Sequence, residues 1–449
     1  MTVNRTLETQ AARVPGLVDR LARRLVMRKL DGLHGGEITI ADAAGTSTLG
    51  AGGELHPTVR VRNSRFYRRA ALGGSLAVAN SYVRGDWDCD NLTVLFRLFV
   101  QNVPAAERLD RGWSRLAQWI HRFVHWRQAN TRTGSRRNIR AHYDLGNDFF
   151  QLWLDETLAY SCGIFASPEA TLCEASIEKF DRVCRKLNLR PSDHLLEIGT
   201  GWGGLAIHAA GHYGCRVTTT TVSKQQFDLA SRRIDDAGLT GRVTPLRQDY
   251  RDVTGRFDKL VSIEMIEAVG HEYLDTYFRK CGELLKPDGS MVLQAIVMPE
   301  RRYDEYLHSV DFSRRYVFPG GCLPSMATIL ESVGRASQMR FVHAEDFGPH
   351  YAETLRRWRK RFSERLEDVR MLGYPEDLLR LWEYYLCYCE AGFEERHVGV
   401  VQIQLDNPHC RRDPLEIGHR AARVASPACE TSAATCSSDM HPLPCLTGA

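Results

Sequence analysis

The residues best suited to chemistry in this 449-residue sequence are an acid and the glycines that follow it. Glu197 lies at the end of a short apolar run, and Gly199 and Gly201 are followed by two more glycines. The next segment, 205–210, has helix-forming composition. This order predicts a strand, a tight turn and a helix, with the glycines at the carboxyl end of the strand. In parallel α/β sheets, that position binds nucleotide-type ligands.

The charge beside the glycines favours one nucleotide over another. Gly199, Gly201 and Gly204 match the G-x-G-x-x-G spacing that holds a dinucleotide pyrophosphate at a helix N-terminus. However, Glu197 would repel a pyrophosphate, and the next predicted strand, 215–222, ends without the acid that binds the ribose of NAD. S-adenosylmethionine carries a sulfonium and an ammonium, which suit an acid. We therefore favour it over NAD, and over glycines that serve only a tight connection.

Polar residues follow the next two predicted strands. Ser223 and Gln226 come after strand 215–222, where the cofactor ribose would lie. Asp249 could accept a hydrogen bond from an adenine amino group, and Tyr250 could cover a ring face. Loops after strands are often polar, so each residue is a weak indication alone. Their shared place at the carboxyl ends of strands strengthens the set.

A fourth predicted strand, 259–263, leads to Glu267. This carboxylate would lie near the methyl group that leaves the cofactor, where it could stabilise a cation or hold a proton acceptor. The alternative is an acid favoured by a helix macrodipole. The segment lacks the Asn/Asp-Pro-Pro-aromatic signature of enzymes that methylate nucleic-acid amino groups. That absence disfavours nucleic acid as the substrate.

The pattern from residue 172 onwards alternates helices and strands, which predicts a doubly wound, Rossmann-like parallel sheet. The predicted helices are 172–187, 203–212, 223–237 and 273–285, and the strands are 195–198, 215–222, 243–247, 259–263 and 291–298, with a turn at 286–289. A last strand, 397–405, suits an antiparallel orientation. Residues 299–390 read as a helical insertion that would cover the substrate pocket.

The N-terminal part predicts a small α+β unit at about 35–103, with strands within 37–63 and helices at 76–90 and 91–100. Before it, residues 14–33 predict a basic amphipathic helix, which could contact an anionic membrane or pack its leucines on the protein. Residues 104–140 combine tryptophans with nine arginines. Membrane contact, nucleic-acid contact and a solvated interdomain helix all remain open for that segment.

The composition of the chain limits its expected location, the state of its cysteines and its metal binding. The net charge of +4 is small for this length, and neither a signal peptide nor a run of about 18 apolar residues is visible, so the cytoplasm is the expected location. None of the thirteen cysteines has C-x-x-C spacing. We expect reduced thiols and no metal site.

Several further motifs accompany the glycine turn. They are Gly85-Asp86-Trp87, His142 to Phe150, Tyr160-Ser161-Cys162, Met265 to Gly270, Tyr316 to Gly321 and Tyr384-Tyr385-Leu386. As a set they resemble the cyclopropane-fatty-acyl-phospholipid synthase family of S-adenosylmethionine-dependent enzymes, from about Gly74 to Leu405. A generic methyltransferase would share only the glycine turn.

The resemblance implies a class I methyltransferase fold and a reaction at a lipid double bond. A cis double bond of a phospholipid acyl chain would attack the sulfonium methyl, and loss of a proton would close a cyclopropane. The cofactor site would comprise Tyr143, Tyr160, Ser161, Glu197, Gly199, Gly201, Gly203, Thr221, Ser223, Gln226, Asp249 and Tyr250.

The resemblance also implies that a bicarbonate ion acts as the base. The residues that would hold it are Cys162, Glu267, Ile296 and Tyr351, and Gln294 stands where well-known bacterial members have a histidine. Gln294 can still donate a hydrogen bond to an anion. The substitution leaves the fate of the cation open between ring closure and a methylene- or methyl-branched chain.

The predicted division of the chain is a small N-terminal domain (1–105), for which the resemblance implies lipid binding, an Arg/Trp-rich linker (106–140), the methyltransferase domain (141–410) and a tail (411–449) whose composition predicts disorder. The resemblance and the basic N-terminal segments imply an enzyme on the inner face of the membrane that contacts anionic lipid, with a homodimer as one expected assembly. Nucleic acid is not an expected partner. A nucleic-acid methyltransferase and an inactive lipid-binding protein are the alternatives from other classes.

Overall fold

The computed structural model describes residues 16–102 and 145–411. Predictions for residues 1–15, for the Arg/Trp-rich segment, for Tyr143 and for the tail from 412 onwards lie outside these residues. Within them, no helix combines the length and the apolar character needed to cross a membrane.

The N-terminal part forms a four-stranded sheet with helices around it. Its elements are α1 (Leu17–Leu30), β1 (Gly35–Asp42), β2 (Gly45–Leu55), β3 (Thr58–Val61), α2 (Arg65–Val83), β4 (Trp87–Cys89) and α3 (Leu92–Gln101). The strand order is β2-β1-β3-β4, with β1 and β3 parallel and the other pairs antiparallel. The predicted α+β character is confirmed.

The predicted helix at 76–90 is wrong at both ends. Helix α2 already begins at Arg65. It contains a kink at Gly74, where φ is 61°, and continues beyond it. The helix ends before Gly85, whose φ of 73° favours glycine. Trp87 then pairs with Val61, so these residues form strand β4.

The predicted leucine face of α1 is also only partly buried. The helix buries Ala22, Val26 and Leu30, whereas Leu21 and Leu25 are 55% and 45% exposed. One apolar side of α1 therefore packs against the protein, while Leu21 and Leu25 stay exposed beside it.

The second part contains a seven-stranded mixed sheet between helices. Its elements are α4 (Asn147–Gln151), α5 (Leu172–Lys186), β5 (His194–Ile198), α6 (Gly204–Tyr213), β6 (Arg216–Thr220), α7 (Lys224–Asp236), β7 (Val243–Leu246), β8 (Phe257–Ile263), α8 (Leu274–Leu284), β9 (Leu285–Val297), α9 (Glu300–Leu307), α10 (Met326–Ala336), β10 (Arg340–Asp346), α11 (Gly348–Glu364), α12 (Leu366–Met371), α13 (Glu376–Glu394) and β11 (Gly399–Asp406). The order is β10-β11-β9-β8-β5-β6-β7. Strands β5 to β9 are parallel and β11 is antiparallel to β9, which confirms the Rossmann-like prediction.

Two details of the sheet differ from the prediction. Strand β10 lies in the insertion that was predicted to be helical, because its backbone pairs with the distant strand β11. Strand β9 begins at Leu285, and the predicted turn at 286–289 lies inside it as an irregularity between the pairs Phe257–Leu285 and Lys259–Ser290.

Helix α13 joins the two parts. The Tyr82 hydroxyl donates to Glu383 Oε2 at 2.8 Å, and Arg380 Nη2 donates to the Trp87 carbonyl at 2.9 Å. The rings of Phe96 and Tyr384 meet edge to face, with centroids 4.7 Å apart. Residues of both parts belong to one hydrophobic cluster, so the predicted domains share a core.

Candidate active site

The glycine turn connects β5 to α6 at the carboxyl edge of the sheet. The N–H groups of Gly199 and Thr200 both donate to the Thr220 carbonyl, at 3.0 and 3.1 Å, which holds the turn against β6. Gly201 has φ of +52°, and a Cβ added there would meet no atom within 4 Å. The turn therefore leaves open space beside its backbone, as a cradle for a ligand requires.

That space is part of a cavity of about 460 Å³ that extends from the glycine turn to α11 and α13. Most predicted site residues line it. They are Tyr160, Ser161, Glu197, Gly199, Gly201, Thr221, Gln226, Asp249, Tyr250, Glu267, Ile296 and Tyr351.

Four predicted site residues do not line the cavity. Gly203 and Ser223 are the N-cap residues of α6 and α7, and the Ser223 hydroxyl accepts from the Gln226 N–H. Cys162 and Gln294 are fully buried behind the cavity wall. Tyr143 lies outside the described residues.

Glu197 places a carboxyl group beside the turn, as predicted. It is almost fully buried, and its Oε2 accepts a hydrogen bond from the Thr219 hydroxyl at 2.6 Å. Burial raises the pKa of Glu197 to about 8, although the Thr219 hydrogen bond and the Lys179 ammonium oppose the rise. A cationic ligand would favour the ionised form, so this end of the cavity suits a cation.

The residues expected near the ribose and adenine are also held by neighbours. Thr221 donates to Gln226 Oε1 at 2.9 Å, which orients the amide. The Asp249 carboxylate receives two hydrogen bonds from the Arg251 guanidinium, at 2.8 and 2.7 Å. Arg251 lines the cavity too and was not predicted. A role of Asp249 toward adenine stays a prediction.

At the other end of the cavity lies Glu264, which the sequence analysis did not select. Its Oε1 accepts from the Cys162 N–H at 2.9 Å and from Gln294 Nε2 at 2.7 Å, and its Oε2 accepts from the Tyr351 hydroxyl at 2.6 Å. Three of the predicted catalytic residues thus meet at one carboxylate. Like Glu197, Glu264 is an acid at the carboxyl end of a parallel strand, and that signal could have identified it.

A chain of amides fixes the direction of the Gln294 side chain. Lys186 Nζ donates to Gln402 Oε1 at 2.7 Å, and Gln402 Nε2 donates to Gln294 Oε1 at 3.0 Å. Because its oxygen is occupied in this way, Gln294 presents its NH₂ group to Glu264.

Glu267 lies beside Glu264 with one oxygen free of protein partners. Its Oε1 accepts from the Ile296 N–H at 2.6 Å, whereas its buried Oε2 has no hydrogen-bond partner among the residues that the structure describes. Burial, and then the charge of Glu264, raise the pKa of Glu267 to about 8. A buried carboxyl oxygen without a partner is expected to face a ligand.

Lys179 is a third residue, after Arg251 and Glu264, that was not predicted from the sequence. It is fully buried and its ammonium donates to the Ser161 hydroxyl at 2.6 Å. Burial lowers the pKa of Lys179, while Glu264, Asp155 and Glu197 oppose the fall. This ammonium offsets part of the negative charge around the cavity.

Aromatic rings form much of the wall around the two glutamates. The ring of Tyr351 stacks on Phe393 with centroids 4.3 Å apart, and the Tyr160 and Tyr385 hydroxyls lie 3.1 Å from each other. Rings and carboxylates together can stabilise a cation in a space that holds little water.

Comparisons with known proteins agree with this geometry. A family model described as "Mycolic acid cyclopropane synthetase" matches residues 130–403. The chain is 37% identical to "Tuberculostearic acid methyltransferase UfaA1" of Mycobacterium tuberculosis, over 86% of this chain and 90% of the relative. It is 34% identical to the cyclopropane-fatty-acyl-phospholipid synthase of Escherichia coli K12, over 78% and 88%. The solved structure of the mycolic acid cyclopropane synthase CmaA1 in complex with SAH and CTAB matches 60% of this chain and 98% of its own, with a TM-score of 0.57 and 30% identity.

Proposed function

This chain belongs to the mycolic acid cyclopropane synthetase family, and we propose that it transfers a methyl group from S-adenosylmethionine to the cis double bond of an unsaturated acyl chain in a membrane phospholipid. At a coarser level, the chain is an S-adenosylmethionine-dependent methyltransferase that modifies lipid acyl chains. The proposal goes beyond this activity in three respects: the reacting group is a cis double bond, the substrate is a phospholipid, and the product is specified below.

The residues present fit S-adenosylmethionine. The buried Glu197 carboxyl suits its cationic groups, and the space beside Gly201 admits a ligand close to the backbone. When bound, the cofactor supplies an electrophilic methyl group. The protein supplies the cradle, the orientation and the surroundings of the charge that then develops on the acyl chain.

The observation that carries the proposal is the pair of partly buried glutamates that line an aromatic-walled cavity, which continues to the glycine turn. Attack by a double bond on a methyl group leaves a positive charge on the acyl chain. Glu264, Glu267 and the neighbouring rings provide negative potential at that end of the cavity. The aromatic rings of the wall offer few hydrogen-bond partners to water, which would otherwise trap the cation as an alcohol.

We propose a cyclopropane as the product that the family resemblance favours. A methylene- or methyl-branched chain is the second candidate, and two observations support it. Gln294 replaces the histidine expected in the base site, and the relative that matches 86% of this chain is named for tuberculostearic acid, a methyl-branched fatty acid.

Mass spectrometry tests both products. Cells that express this chain would receive methyl-labelled methionine and an oleate-containing phospholipid pool, and we expect a labelled acyl chain with one added CH₂. Oxidative cleavage then separates the isomers, because a methylene branch yields a ketone and a cyclopropane does not. An unlabelled lipid pool with labelled nucleic acid would overturn the proposal in favour of a nucleic-acid methyltransferase.

The exposed face of α1 supports contact with an anionic membrane. Leu17, Leu21 and Leu25 are 68%, 55% and 45% exposed, and Arg20 and Arg24 are exposed among them. Apolar side chains flanked by cations suit the interface of an anionic bilayer. We propose that the enzyme is peripheral on the inner face of the membrane. A homodimer remains a prediction, which light scattering would check.

Leu21→Glu should weaken binding to anionic vesicles about tenfold, because it places a charge on the inserted face. Sedimentation with phosphatidylglycerol vesicles measures the effect. Met371→Glu is the matched control, because Met371 is 79% exposed on α12 rather than on α1. Equal losses for both variants would contradict membrane contact through α1.

The affinity for S-adenosylmethionine should rise with pH between about 6 and 8, since the pKa of Glu197 is about 8 before binding and a bound cation favours its ionised form. Binding then releases protons below pH 8. Calorimetry in two buffers of different ionisation enthalpy measures the release, and Glu197→Gln separates it from titration of the ligand.

The folding stability of the ligand-free protein depends on Glu197 in the opposite direction, because stability falls as the pH rises. The pKa of Glu197 in the folded protein lies above its ordinary value of 4.5, so its contribution to folding stability is complete below pH 4.5 and is lost as the pH rises through 8.

A further inference from the structure

We propose that the carboxylate of Glu264 is the base that removes the proton from the alkylated acyl chain, in the place that a bicarbonate ion was expected to occupy. The inference rests on the proposed function. It assigns the base to a residue of this chain and removes the need for a free anion.

The hydrogen-bond donors expected to hold a bicarbonate ion are already occupied. The Cys162 N–H, Gln294 and Tyr351 were expected to hold bicarbonate, and all three donate to Glu264 instead, at 2.9, 2.7 and 2.6 Å. A carboxylate presents two coplanar oxygens, as bicarbonate does toward such donors. The side chain therefore satisfies the donors that a separate anion would need.

The backbone at Glu264 adopts an unusual conformation. Its φ is +47°, a left-handed conformation that a non-glycine residue adopts at a cost, and its N–H donates to the Gln294 carbonyl at 2.8 Å. This bend lets the side chain reach the donors immediately after β8 ends at Ile263. Backbone strain of this kind often accompanies a functional residue.

The two glutamates differ in their donors. Burial raises the pKa of Glu264, although its three donors favour the ionised form and oppose the rise. Glu267 accepts from the Ile296 N–H but has no side-chain donor among the described residues, and burial and then the charge of Glu264 raise its pKa to about 8. Of the two, Glu264 is better held as the anion, and burial gives that anion an increased affinity for protons.

The chemistry balances with Glu264 as the acceptor. The π electrons of the acyl double bond form a bond to the methyl carbon, and the carbon–sulfur electron pair stays on sulfur. The other alkene carbon becomes positive. A Glu264 oxygen takes one proton from the transferred methyl, and the released C–H pair closes the third bond of the ring. If a hydride first moves between the two former alkene carbons, the same pair forms a methylene double bond.

Removal of the side chain provides the sharpest test. Glu264→Gly leaves the three donors in place, and glycine accepts the positive φ without strain. In buffer free of carbon dioxide we expect the variant to turn over at least about 100-fold more slowly than the wild type. Added formate or bicarbonate should restore part of the rate in Glu264→Gly. The wild type should be insensitive to either anion.

A second readout does not depend on turnover. ¹³C-labelled formate should show line broadening with Glu264→Gly and none with the wild type, because only the variant exposes the donors. Glu272→Gly is the matched control, since Glu272 is exposed in the loop that follows β8, and it should respond to neither anion. If Glu264→Gly fails to fold, Glu264→Gln should bind S-adenosylmethionine and still lose turnover.

Three results would overturn the inference: wild-type turnover that requires bicarbonate, full turnover of Glu264→Gly without an added anion, or full turnover of Glu264→Gln. A wild type that forms no labelled acyl product in any buffer would instead overturn the proposed function. The two failures are therefore distinguishable in one set of assays.

Discussion

Gly201→Val should weaken binding of S-adenosylmethionine by at least about 100-fold, or about 2.7 kcal/mol. A Cβ at position 201 would project into open space that belongs to the cavity, so the valine methyls would fill volume that the cofactor needs. The φ of +52° adds strain for a β-branched residue. Titration calorimetry with the purified variant measures the loss.

A control is needed because the strain alone could unfold the turn. Gly238 has φ of +68°, no atom within 4 Å of an added Cβ, and a place after α7 that is not part of the cavity wall. Gly238→Val should therefore suffer similar strain and keep its affinity. Near-native affinity of Gly201→Val, or equal losses in both variants, would count against the glycine turn as the cofactor cradle.

The sheet was predictable because each of its central strands carries its own local signal. Strands β5 to β9 contain apolar or β-branched runs followed by polar turns, and the helices between them have helix-forming composition or periodicity. Strand β10 gave no such signal, since it is an edge strand with an exposed Phe341 and depends on pairing with β11. The kinked α2 was missed at its start because the pair Gly73-Gly74 resembles a helix end.

The cofactor end of the site followed from one rule, that ligands lie at the carboxyl ends of parallel strands. The rule placed Glu197, Asp249 and Glu267 on the cavity wall. It failed at Gly203 and Ser223, because a position after a strand does not reveal whether a residue caps the next helix or faces the ligand. Whether such a residue caps the helix or faces the ligand depends on its backbone angles in the folded protein, and the motif alone does not specify them.

The base end was harder to predict because its contacts come from distant parts of the chain. Cys162 precedes the sheet, Gln294 is on β9 and Tyr351 is on α11, yet all three donate to Glu264. The family resemblance identified these donors, but it implied that a bicarbonate ion would accept their hydrogen bonds. The place of Glu264 directly after β8 is a local signal, but the convergence of three distant donors on its carboxylate is not.

Glu267→Gln should bind S-adenosylmethionine with near-native affinity and lose turnover by a factor of about 10² to 10³, or about 3–4 kcal/mol. The glutamine oxygen can still accept from the Ile296 N–H, as Oε1 does now. Its NH₂ group then replaces Oε2, the buried oxygen without a protein partner. A donor with partial positive charge would face the acyl cation where the wild type offers an acceptor.

The pH profile decides which form of Glu267 acts. The pKa of Glu267 is about 8 without ligand, so an active ionised form predicts wild-type turnover that rises with pH toward 8, and a variant that lacks this rise. If the neutral acid were the active form, glutamine would imitate it and turnover would scarcely change. Labelled-methyl assays at several pH values measure both, with the exposed Glu272→Gln as the control that should match the wild type. Unchanged turnover of Glu267→Gln would refute a role of this carboxylate in stabilising the cation.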